Sequence, residues 1–126
     1  MRNLEIANIV TAYTAQKEKG DGIKLPAAVA WKRRVNMDKL FRAKKLIDDA
    51  LKEIGEKYAD DEHSVEGENG SRKVKEKYLG EYFRAQGEIL AQDTEVDIRK
   101  VKVEDLGDIE LSDADMDTLA FMLEDE

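Results

Sequence analysis

The chain has 126 residues, no cysteine, 40% charged residues and a formal net charge of −8 at pH 7. That length suits one domain with its own core, and the missing cysteine excludes a disulfide framework, a thiolate nucleophile and a cysteine-ligated zinc site. The charged share is well above the usual roughly one quarter, which favours long exposed helices over a sheet sandwich.

The charge is segregated along the chain. Residues 1–59 carry 13 Lys/Arg against 8 Asp/Glu, residues 60–92 carry 5 against 8, and residues 93–126 carry 3 against 13. Such asymmetry permits a polarised surface that associates head to tail or steers charged partners. The opening Met1-Arg2-Asn3-Leu4-Glu5 lacks the apolar run of a secretion signal, and no stretch approaches a membrane span. The expectation is a soluble intracellular protein with no membrane partner.

In chain order, residues 4–18 read as a short helix with Leu4, Ile9 and Tyr13 near one face, stopped by Gly20-Asp21-Gly22. Leu25-Pro26 restarts the chain, because proline fits a first helical turn where its missing N–H is not needed. A long amphipathic helix is expected over 26–59. Its stripe is Val29, Leu40, Ala43, Ile47, Ala50, Leu51, Ile54 and Tyr58, mostly three and four residues apart. Trp31, Val35 and Phe41 lie off that stripe, so the first half of the helix should be covered on more than one side.

Residues 60–71 form a polar, turn-rich tip. Asn69-Gly70 could close a small hairpin between Ser64-Val65-Glu66 and Arg72-Lys73-Val74, but a plain loop is the expectation. A return helix over 72–91 carries Val74, Tyr78, Tyr82, Ala85 and Ile89 on one stripe and Leu79, Phe83 and Leu90 on a second. Alternation at Glu95-Val96-Asp97-Ile98, Val101-Lys102-Val103 and Ile109-Glu110-Leu111 predicts short strands within 95–111. Ser112, with Asp115 three residues on, caps a final helix over 113–123 in a capping box. The fold expected is mainly α with a minor β element: one domain over 1–126, a long antiparallel helical hairpin and a small α+β head closed around Trp31.

His63, the only histidine, sits in the tip, where nothing in the sequence suggests packing to hold it as a catalytic base. No catalytic set, metal site or cofactor motif emerges. Asp113, Asp115, Asp117 and Glu124 match calcium-loop positions, but Thr118 stands where the loop needs glycine, so helix capping explains them better. Lys32, Arg33, Arg34 and Arg42 make the long helix locally basic and are candidate anion contacts. A solvated face is the simpler reading, and the acidic pI of about 4.8 argues against nucleic acid as partner. Asp108, Asp113, Asp115 and Asp117 form an acidic segment able to face a basic partner surface, and Leu79, Phe83 and Leu90 are a candidate oligomer face.

Two stretches carry a resemblance. One is Lys24-Leu25-Pro26 with Ala28-Val29-Ala30-Trp31-Lys32 and the helix ending Ile54-Gly55-Glu56-Lys57-Tyr58. The other is Glu95-Val96-Asp97-Ile98, Val103-Glu104-Asp105-Leu106 and Leu111-Ser112, with Leu119 and Leu123 beyond. Together they resemble a family of small proteins of unknown function encoded by tailed phages and prophages of Gram-positive bacteria. The resemblance implies a phage origin and a place in the cytoplasm of the infected host or in the virion; it carries no active-site residue over.

The expected function is therefore a non-catalytic phage accessory protein that binds another protein, inhibition of a bacterial defence system being one concrete form. Alternatives are an assembly component that oligomerises through its helices, and a sponge that sequesters an anionic nucleotide signal.

Overall fold

The computed structural model describes residues 1–19 and 24–124; the Gly20-Asp21-Gly22 stop lies outside them. Four helices run in chain order: α1 (Asn3–Glu18), α2 (Ala27–Lys57), α3 (Glu76–Ala91) and α4 (Asp113–Leu119), with a hairpin of β1 (Ser64–Glu66) and β2 (Arg72–Val74) between α2 and α3. The protein is mainly helical, with a long α1–α2 pair and a small two-strand antiparallel hairpin.

The spine is α2. Its buried positions are Val29, Arg33, Asn36, Met37, Leu40, Ala43 and Ile47, mostly three- and four-residue steps that follow one helix face. Against the middle of that face pack Ile6 and Val10 of α1, with Ile89 and Leu90 of α3 closing the cluster. Nearer the start of α2, Val29 meets Val101, Leu106, Leu119 and Met122 from the C-terminal segment. The core is therefore two clusters threaded on one helix.

Asn3 joins α1 to the end of α3. Its side-chain amide donates to the Ile89 carbonyl at 2.8 Å, its Oδ1 accepts from Thr94 Oγ1 at 2.6 Å, and its backbone N–H donates to Gln92 O at 2.8 Å. Asn36 does the same for the chain after α3: Nδ2 donates to Arg99 O at 2.9 Å, and Arg99 N donates to Asn36 Oδ1 at 2.8 Å. One buried carboxamide thus presents the donor and acceptor that a neighbouring strand would otherwise supply.

That pairing corrects the strands expected over 95–111. The segment is extended, and Val96 and Ile98 do turn inward onto the central cluster. Beyond an isolated bridge from Val101 to Leu123, however, no ladder forms there. A tight turn occupies Val103–Leu106. Alternating apolar residues report a chain lying flat on a core, whether its backbone partner is a strand or a side chain.

The tip is also different from a plain loop. Ser64 pairs with Val74, Val65 with Lys73 and Glu66 with Arg72, and Asn69 (φ 59°) and Gly70 (φ 75°) supply the left-handed residues that turn the chain. Pairing of residues 72–74 delays the return helix to Glu76 rather than 72. The long helix runs 27–57 rather than 26–59: Pro26 caps its start in extended geometry, and Tyr58 leaves helical geometry at its end. The final helix stops at Leu119 and tightens into a turn over Ala120–Met122, inside the expected 113–123.

The head does not close around Trp31. That residue stands two positions after Val29, about 200° around the helix, and is 60% exposed. No helix among the described residues is long and apolar enough to cross a membrane.

Candidate binding cleft

Because α1 and the start of α2 meet only along their inner stripes, an open cleft of about 620 Å³ remains on the far side, lined by Tyr13, Lys17, Trp31, Arg33, Arg34 and Phe41 with Leu25, Val35, Met37 and Asp38. Tyr13 reaches it from α1, and its ring meets Phe41 of α2 edge-on at 5.9 Å. Phe41 is 42% exposed. Exposed Trp31 and Phe41 beside a half-buried Tyr13 on one cleft are unusual for a surface whose large apolar groups are normally scattered singly.

Arg33 anchors the floor. It occupies a core position of α2, is 9% exposed, and stacks its guanidinium over the Tyr13 ring at 4.9 Å. Its Nη2 donates to Gln16 Oε1 at 2.8 Å, and Gln16 Nε2 in turn donates to Asp115 Oδ1 at 3.1 Å. A relay through one neutral amide therefore ties α2 through α1 to α4. Burial pushes the Arg33 guanidinium below the usual arginine range, opposed by the nearby Tyr13 and Asp115. Its buried Nε has no hydrogen-bond partner.

The structure separates the four cations that the sequence grouped. Arg33 and Arg34 line the cleft. Lys32 is half-buried outside it, and Arg42 is paired with Asp38 at 3.0 Å. Tyr13, Gln16 and Phe41 are the members that sequence reasoning missed as a site. A signal for Arg33 was present: with Asn36 it fills the gap at helical spacing between Val29 and Leu40, so both belonged to the buried stripe.

The acidic residues do not form one free patch. Asp115 is held by Gln16 and also completes the capping box: its N–H donates to Ser112 Oγ at 3.1 Å, and Ser112 N donates to Asp115 Oδ2 at 3.3 Å. Asp108, Asp113 and Asp117 are exposed. One contact joins the acidic segment to the basic half of α2, Asp97 O accepting from Lys39 Nζ at 2.8 Å. Leu79, Phe83 and Leu90 also part company: Leu90 is packed on the central cluster, Leu79 is half-buried, and Phe83 is 60% exposed.

At the tip, His63 is better held than its loop sequence suggests. Its ring packs against Tyr78 at 4.6 Å and Tyr58 at 5.2 Å, and Nδ1 lies 2.6 Å from Asp60 Oδ1. Hydrogen bonds from His63 hold the Asp60 carboxyl below the usual carboxylate range. Burial, followed by the Glu81 carboxylate, lifts the Tyr58 hydroxyl above the usual phenol range. Adjacent Ser64 is buried, and its hydroxyl donates to the Asp60 carbonyl at 2.8 Å while accepting from Arg72 Nε at 3.0 Å. That hydroxyl is committed to fastening the hairpin. Asp60, Glu62 and His63 also place one potential ligand atom each within 4.8 Å of the others, an arrangement that the Asp60–His63 hydrogen bond already explains.

Comparison of the chain with protein-family models, with curated proteins and with solved structures found no match.

Proposed function

We propose that this chain is a non-catalytic phage accessory protein that works by binding a protein partner, and that the cleft of Tyr13, Trp31 and Phe41 is the surface it uses. The observation that carries the reading is the exposure of Trp31 and Phe41 beside the buried Arg33 on one open cleft. Tryptophan, tyrosine and arginine are the residue types that dominate binding energy at protein interfaces. The resemblance to tailed-phage proteins supplies the setting, and interference with a host defence factor is one form the binding can take.

The experiment is affinity capture from lysate of a Gram-positive host, comparing the wild-type chain with the Trp31→Ala/Phe41→Ala double variant. The proposal expects a partner retained by the wild type and lost by the variant, with the far-ultraviolet circular dichroism of the two superimposable. Equal capture by both chains would remove the cleft from the mechanism.

A second reading, self-assembly through α3, is favoured by the exposure of Phe83. Light scattering over a range of concentrations tests it: a strict monomer contradicts it, and a Phe83-dependent oligomer supports it.

A further inference from the structure

The charges around the cleft, sorted by whether they are already answered, narrow what fits there; the inference rests on the reading that the cleft binds a partner. Arg42 has Asp38 and Lys39 has Asp97. Among the described residues Lys17, Arg33 and Arg34 form no ion pair, although the protein as a whole carries a net charge of −8. Arg33 already has Asp115 nearby through Gln16. Lys17 and Arg34, by contrast, are exposed cations without a carboxylate partner among the described residues. Beside the exposed Trp31 and Phe41 they form a surface complementary to an acidic ligand with apolar side chains.

Length decides between a small molecule and a chain. Trp31 and Phe41 lie ten residues apart on α2, roughly 15 Å along its axis at 1.5 Å per residue. An extended peptide of four or five residues spans that distance at about 3.3 Å each. Asp38, which also lines the cleft, and Glu18, on the adjoining wall beside Phe41, would repel a continuous polyphosphate. Separate carboxylates that alternate with apolar anchors can avoid them. The geometry points to an extended acidic segment of a partner protein, its aromatic or aliphatic side chains seated along Phe41 and Trp31 and its carboxylates on Lys17 and Arg34.

Trp31 is the only tryptophan, so its emission reports directly on the cleft in the full chain. The probes are a short capped peptide of alternating glutamate and phenylalanine, its glutamine–phenylalanine counterpart, and adenosine monophosphate as a planar phosphate-bearing control. The glutamate peptide should change Trp31 emission saturably. The glutamine peptide should bind at least tenfold more weakly, and the Lys17→Gln/Arg34→Gln variant, both positions exposed, should weaken the glutamate peptide by a similar factor. Equal affinity for the two peptides, a response to the nucleotide alone, or no saturable response to any probe would each overturn the inference. If one of those results came with Trp31-dependent capture from lysate, the cleft would still be a binding surface, and only the acidic chemistry assigned to its partner would fall.

Discussion

Asn36 offers the sharpest test of how the C-terminal segment is held. It is fully buried on α2, makes the two hydrogen bonds to Arg99 described above, and lies 3.9 Å from the Met122 sulfur. In Asn36→Ala both hydrogen bonds disappear, each worth about 1 kcal/mol net, with a further cost of about 1 kcal/mol if either Arg99 group stays dry. A helix propensity gain of about 0.5 kcal/mol for alanine over asparagine opposes this. The balance is a loss of about 1.5–2.5 kcal/mol, a drop in Tm of roughly 6–10 °C for a domain of this size. Urea unfolding followed by circular dichroism measures it. Asn36→Leu keeps the branched shape and the number of side-chain heavy atoms without the hydrogen bonds, so it should remain less stable than wild type. A loss below about 0.5 kcal/mol in Asn36→Ala, or a leucine variant as stable as wild type, would refute the claim that this carboxamide replaces a strand.

Other outcomes follow from single features. Gly107 has φ 70° and ψ −155°, a region essentially reserved for glycine, so Gly107→Ala should cost about 1–3 kcal/mol in urea unfolding although no atom clashes with the added carbon. Trp31→Ala should leave stability within about 1 kcal/mol of wild type in urea unfolding, because the indole is largely in water. Asp60 has a folded pKa below its unfolded one. Its stabilising contribution is therefore full above the ordinary carboxylate value of about 3.9 and fades as pH falls through the lower folded value. Asp60→Asn should flatten that part of the acid limb in a pH series of urea midpoints, and an unchanged limb would show the His63 pairing to be without effect.

Much of the helical frame was legible because a 3.6-residue period survives in the letters. The stripe from Leu40 through Ile47 to Tyr58 is buried or half-buried as read, and the Ser112–Asp115 capping box forms. What was hidden depends on pairs distant in sequence. Asn36 and Arg33 sit at stripe spacing, but the partners that let polar side chains be buried there, Arg99 and Gln16, come from 63 and 17 positions away. The alternation at Val96 and Ile98 correctly marked an inward-facing extended chain but could not say what its backbone would bond to. Trp31 lies off the stripe and is expected under a covering head, but no such cover forms and the indole stands in water. The candidate cleft was half visible: Arg33 and Arg34 were picked out for charge, and the aromatic residues that give the cleft its character were assigned to packing.

Hydrogen exchange on the protein bound to the partner it captures would test the central claim most directly. The cleft account predicts new protection concentrated in residues 13–17 and 30–41, with α3 and α4 exchanging as in the free chain. Protection confined to residues 76–91, or to the acidic stretch 108–117, would contradict it and move the binding surface elsewhere.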